Sequence, residues 1–131
     1  LPAGSDLVGR DRLGLAALLA RPLAMLDSRH AIRGLVQQAA SDQGLALHPQ
    51  VETSSIAALI RYVAAGIGIT FLPRFSASIQ AARGELAIVG LDEESLQHVS
   101  AHLLVRARRR LPGSVALTAA HLAAHMVAFR A

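Results

Sequence analysis

Three short polar runs in this chain each follow an apolar one. Asp27-Ser-Arg-His30 follows Pro22–Leu26, Thr53-Ser-Ser55 follows Gln50–Glu52, and Pro73-Arg74 follows Ile69–Leu72. Hydroxyls, a guanidinium and an imidazole are groups that can hold a small polar molecule. If the apolar runs are parallel strands, the three polar runs share one sheet edge. Three helix N-termini would then converge there, with free N–H groups and positive dipole ends that suit an anion. Ordinary capping explains the serines equally well. Asp27 opposes an anion by sign and is expected to cap its own helix.

Other constellations carry less chemistry. His98-x-x-x-His102 and His121-x-x-x-His125 have the spacing of two metal ligands on one helix face. A peptidase-type zinc site also needs Glu after the first His, and Leu122 stands there; no third ligand is evident. Gly66-x-Gly68 lacks the third glycine of a dinucleotide loop, because Phe71 takes that place. It also follows a helix and precedes a strand, the reverse of the required order. No Gly-x-Ser-x-Gly elbow surrounds Ser28, Ser54, Ser55 or Ser114. Glu93-Glu94 lies in a polar turn without an apolar pocket. Arg106, Arg108, Arg109 and Arg110 run into Pro-Gly with no aromatic residues between them, as a solvated loop does.

The elements that would position the three polar runs are legible. Val51 to Pro73 reads as strand end, helix, tight turn, buried strand and stop. Ile56, Leu59, Ile60 and Val63 lie on one helical face. Gly66 suits a left-handed helix end, Gly68 permits a sharp turn, and Pro73 ends the strand. Upstream, Leu13–Ala20 predicts a short helix, Pro22–Leu26 a buried strand and His30–Gln43 a helix stopped by Gly44. Downstream, Arg74–Arg83 predicts a helix, Leu86–Leu91 a strand and Asp92–Gln97 a turn. Leu103-Leu-Val105 suits a buried strand. Ser114 opens a last helix with Val115, Ala119, Leu122, Met126 and Phe129 on one stripe. Strands alternating with helices predict an α/β fold with a parallel sheet.

Composition sets bounds. The chain has 131 residues, enough for about one domain. It is 53% hydrophobic with three Phe, one Tyr and no Trp, so its core is aliphatic. No apolar run approaches the ~20 residues of a membrane span. Cysteine is absent, which excludes disulfides and thiol chemistry within these residues. The net charge is +4 and every basic residue is Arg. The arginines are scattered rather than striped, which fits a compositional habit better than a nucleic-acid face. No helix-turn-helix pattern is visible. Without an initiator Met or a leader-like segment, Leu1 is expected to lie inside a longer chain.

The run Ser55-Ile-Ala-Ala-Leu-Ile, continued by Val63-Ala-Ala-Gly-Ile-Gly-Ile-Thr-Phe-Leu-Pro73, resembles the effector-binding domain of LysR-type transcriptional regulators. Asp6–Arg12, Leu15…Leu18 and Arg21–Leu26 look like the opening of that domain's second subdomain. Gly84–Leu91, His102–Arg106 and Leu111-Pro112 look like its closing strands. The resemblance implies a Rossmann-like parallel-sheet subdomain of a type 2 periplasmic-binding-protein-like fold. Residues 1–95 would form the second effector subdomain without its first strand. Residues 96–131 would supply the return strand and C-terminal helix of the first; one compact α/β domain is the alternative.

It further implies a regulatory, non-enzymatic role in the cytoplasm, with no cofactor, metal or membrane partner. A small organic effector would sit at the cleft edge, where Ser28, Arg29, His30, Thr53, Ser54 and Pro73 match pocket-lining segments by position. The residues themselves, through the hydroxyls of Thr53, Ser54 and Ser55 and the first helix amides, predict an anion, a carboxylate above all, at the N-terminus of a Ser54–Ala65 helix, with a charge-assisted contact from Arg29. The intact protein would be a homodimer or homotetramer. DNA contact would belong to an N-terminal helix-turn-helix outside this chain. The alternative is a solute-binding domain of a transport system, which shares the cleft architecture; an upstream secretion signal would favour it.

Overall fold

A computed structural model describes residues 1–97, 102–105 and 111–126. The chain divides into two compact units, Leu1–His98 and Val99–Ala131. The first unit holds β1 (Arg12–Leu13), α1 (Leu15–Leu19), β2 (Ala24–Leu26), α2 (Ala31–Asp42), β3 (Val51–Thr53) and α3 (Ile56–Ala64). A 3-10 turn (Arg74–Ala77), α4 (Ser78–Ala82), β4 (Gly90–Leu91) and α5 (Glu94–Gln97) follow.

β2 is the centre. All three of its residues are buried, as a strand covered on both faces requires. It pairs in parallel with β3, in the register Ala24↔Val51, Met25↔Glu52 and Leu26↔Thr53. On its other side the Ile69 run lies parallel through the bridge Leu23↔Ile69. Ile69 N–H donates to the Pro22 carbonyl at 2.8 Å, and Ala24 N–H donates to the Ile69 carbonyl at 3.0 Å. The expected strand Ile69–Leu72 is therefore reduced to one bridged residue, and Thr70–Leu72 continue without a ladder.

Side chains alternate across this sheet, as the pleat dictates. Leu23, Met25, Ile69 and Phe71 join Val36, Ala39 and Ala40 of α2 in one core cluster. Ala24 and Leu26 join Leu59 of α3 in another, with Leu72 against it. The two helices thus cover opposite faces. The chain leaves β2 toward β3 and returns past β2 to the Ile69 run. The strand order therefore reverses between β2 and the Ile69 run.

Glycines end the helices and close the sheet. Gly44 has φ +69° after α2, and Gly66 has φ +75° after α3. Leu45 N–H donates to the Ala40 carbonyl at 2.8 Å, and Ile67 N–H donates to the Tyr62 carbonyl at 3.3 Å, the bonds of a left-handed helix stop. Gly68 serves a different purpose from the sharp turn expected of it. A Cβ there would lie 2.2 Å from the Pro22 carbonyl oxygen and 2.8 Å from the Tyr62 hydroxyl. Only a bare backbone lets the Ile69 run approach β2.

β1 and β4 form a second parallel pair. The expected strand Leu86–Leu91 keeps its ladder only at Gly90–Leu91; Leu86 makes an isolated antiparallel bridge to Pro2. The expected turn Asp92–Gln97 contains α5. There the Glu93 carboxylate accepts the Leu15 N–H at 2.7 Å and the Gln43 amide at 3.0 Å, so it caps α1 from 78 residues away. Burial works to raise its pKa, but the bonds from Gln43 and Leu15 outweigh it and hold the carboxyl below its usual range.

The second unit holds α6 (Gly113–His125). Leu103-Leu-Val105 is not a strand, contrary to expectation; Leu104 is 87% exposed, and no ladder pairs with it among the described residues. His98, Val99, Ala107, Phe129 and the Arg106, Arg108–Arg110 run lie outside the described residues.

Candidate functional site

The parallel register brings two of the polar runs together. Leu26 stands opposite Thr53, and Asp27 N–H donates to the Thr53 carbonyl at 3.1 Å. The turns Asp27–His30 and Thr53–Ser55 therefore leave the sheet side by side. The Ile69 run is parallel on the far side of β2, and Leu72 packs in the same cluster as Leu26. Pro73 and Arg74 thus follow at the same C-terminal edge.

Asp27 organises the first turn. Its carboxylate accepts from Arg29 N–H at 3.1 Å, Arg29 Nε at 3.2 Å and Arg29 Nη2 at 2.8 Å. His30 Nδ1 lies 3.1 Å from the same carboxylate, and His30 N–H donates to the Asp27 carbonyl at 3.1 Å. The Arg29 guanidinium, helped by the Arg29 N–H and His30, holds the Asp27 carboxyl well below the ordinary range despite partial burial. The same pairing raises the Arg29 pKa. The expectation that Asp27 caps its own helix is not met: its carboxylate is taken up by Arg29 and His30 in the turn before α2 and accepts from no α2 amide among the described residues. Arg29 is tied to that carboxylate by two side-chain bonds and is not a free cation. His30 is the extended residue before α2 and makes no side-chain cap. Ser28 is exposed and makes no hydrogen bond among the described residues.

The second turn caps α3 one residue later than expected. Ser55, not Ser54, is the N-cap, and its hydroxyl oxygen accepts the Ala58 N–H at 3.2 Å. Thr53 Oγ1 accepts the Ser55 N–H at 3.1 Å, which shapes the turn before the cap. Ser54 is exposed and bonds to nothing among the described residues, so its hydroxyl is free to meet a ligand. The helix begins at Ile56 because Ser55 satisfies an amide that Ser54 would leave unmet.

On the third segment Pro73 has φ −58° and ψ 140°, extended geometry that leads into the 3-10 turn. Sequence reasoning placed Arg74 in the third polar run without counting it among the site residues, and it passed over Thr70. Thr70 has a buried hydroxyl without a partner, a group that a structure rarely leaves unmet. Arg74 is exposed and enters no ion pair among the described residues. Thr70 has no sequence signal, since Thr is an ordinary strand residue.

A groove of about 540 Å³ runs elsewhere, along the outer side of β3 and α3, lined by Val51, Thr53, Leu59, Arg61, Tyr62 and Ile67. Thr53 alone of the expected site residues borders it. Its neighbour Glu52 pairs with Arg33 of α2 at 2.9 Å.

Among the described residues no group of three or more His, Cys, Asp or Glu is placed to hold a metal ion. His121 and His125 stack with centroids 4.2 Å apart on α6, and His125 Nδ1 meets the His121 carbonyl at 2.9 Å. No described helix is long and apolar enough to cross a membrane.

The sequence profile of the LysR substrate binding domain matches residues 1–127. A probable hydrogen peroxide-inducible genes activator of Mycobacterium leprae is 29% identical over 89 residues, 67% of this chain and 29% of that protein. A protein of the same description from Mycobacterium avium is 28% identical over 89 residues, again 67% of this chain and 29% of its own length. The HTH-type transcriptional activator CmpR of Synechocystis is 30% identical over 91 residues, 70% of this chain and 30% of its own length. The aligned stretch thus amounts to less than a third of each relative.

Proposed function

The chain belongs to the LysR substrate binding domain family, an effector-binding regulatory domain rather than an enzyme family, and from that premise we propose where and what it binds. Its ligand is a small organic effector, held at the C-terminal edge of the parallel strands by Ser28, His30, Thr53, Ser54 and Pro73. One observation carries this reading. The Asp27–Thr53 bond joins two donor-bearing turns at the edge where α2 and α3 begin, and Ser54 keeps an unused hydroxyl there. The first amides of both helices add positive dipole ends, so an anion, above all a carboxylate, is the favoured class. Arg29 contributes through the shape of the Asp27 turn rather than through free charge.

The whole protein would be a regulator that meets DNA through a helix-turn-helix outside these residues, as the name HTH-type activator implies for one relative. Cleft closure around the effector would shift the geometry of a homodimer or homotetramer in the cytoplasm. A mean hydropathy of +0.42 is high for a small chain and fits surface reserved for partners. Residues 1–95 would be the second effector subdomain and 96–131 the returning part of the first. Two relatives are named for induction by hydrogen peroxide. These residues contain no cysteine, so any peroxide response through a thiol would have to lie outside them.

A calorimetric titration of the intact regulator with a compound that stabilises it is the test. Ser54→Ala is expected to weaken binding about tenfold, the loss of one hydrogen bond to a charged ligand. Undiminished affinity in both Ser54→Ala and Thr53→Val would place the effector elsewhere.

A further inference from the structure

We infer that Arg74 reads the charge of the effector, a specificity-determining role that rests on the binding edge proposed above. The argument is one of charges at that edge. Asp27 and Arg29 cancel as a two-bonded ion pair. Glu52 and Arg33 cancel at 2.9 Å, and the Arg33 side chain is only 15% exposed. Arg74 is the cation that remains on the three segments, exposed and without an ion-pair partner among the described residues.

Its position follows from the topology. The Ile69 run lies beside β2 where the strand order reverses, and in open parallel sheets ligands bind past the strand ends at such a reversal. Pro73 holds the backbone extended just before Arg74. A planar guanidinium presents paired N–H donors that match a carboxylate two by two. Ser54 and Thr53 would then position the molecule, and Arg74 would select its charge. Arg29, the cation that sequence reasoning favoured, is spent on Asp27.

The test uses the intact regulator and thermal-shift titrations with benzoate, succinate and inorganic phosphate, beside benzamide and succinamide as neutral counterparts. Wild type is expected to be stabilised by at least one carboxylate and not by its amide. Arg74→Gln should weaken that carboxylate at least tenfold. Arg74→Lys should recover part of the loss, since it restores charge without the fork. Arg29→Gln should change affinity less than threefold. Ser54→Ala separates the two readings. If it weakens binding while Arg74→Gln does not, the edge stands and the role of Arg74 falls. If Arg74→Gln weakens binding while Ser54→Ala and Thr53→Val do not, the edge as drawn falls with the inference that rests on it. A wild type that prefers the amides, or that none of the anions stabilises, overturns the charge-reading role.

Discussion

The Asp27 amide donates to the Thr53 carbonyl at 3.1 Å, one step beyond the last paired residues of β2 and β3. That bond carries the ladder out of the sheet and into the two turns. Each turn is then fixed again from within, by the Asp27 carboxylate on one side and Thr53 Oγ1 on the other. Donors held this way lose little freedom when a ligand arrives, which favours affinity.

Ser54 and Ser55 are adjacent, but their substitutions should separate cleanly. Ser55→Ala removes the α3 cap and is expected to cost about 1 kcal/mol of stability. Ser54→Ala should leave stability within about 0.5 kcal/mol, as for a surface position without contacts. Urea denaturation of both variants checks this. Equal losses would mean that the cap is shared.

Two glycines should respond in opposite directions to alanine. Gly34 lies inside α2 with nothing within 4 Å of a Cβ, so Gly34→Ala should stabilise by about 0.5–1 kcal/mol. Gly68→Ala drives a methyl into the Pro22 carbonyl at 2.2 Å. It should destabilise by about 3 kcal/mol or more, since the obstacle is backbone. A mild effect at Gly68 would mean that the Ile69 run is not seated against β2.

Asp27 predicts a pH dependence. Its folded pKa is depressed by Arg29, the Arg29 N–H and His30. A depressed carboxyl contributes stability that is fully present above the unfolded pKa of about 3.9 and is lost as pH falls toward the folded value. The stability difference between wild type and Asp27→Asn should therefore shrink as pH falls below about 4. The Arg29 side chain is 78% exposed, so the difference should also decline with salt. Denaturation curves across pH, at low and high salt, provide the check. A difference that grows on acidification would reverse the assigned sign.

Periodicity and punctuation made much of this fold legible. Val36 and Ala39 of α2, Leu59 and Val63 of α3 and the buried β2 follow the sequence pattern, because one apolar face per element must meet the core. Strand extents were less legible. Ile69–Leu72 and Leu86–Leu91 have strand-like residues, but a ladder depends on a neighbour that local sequence does not reveal. α5 was hidden because Glu93 is recruited by Leu15, 78 positions away. At the site, the three segments could be named from sequence. Which of Ser54 and Ser55 caps, and that Arg29 is held by Asp27 while Arg74 is not, depend on atoms placed in space.

The central claim is that the effector sits at the edge formed by Asp27–His30, Thr53–Ser55 and Pro73-Arg74. Hydrogen exchange on the intact regulator, with and without a stabilising compound, addresses it most directly. Slowed exchange is expected in peptides covering the turns after β2 and β3, including the first amides of α2 and α3, and at Arg74. Protection confined to the groove around Arg61 and Ile67, or absent from all three segments, would contradict the account.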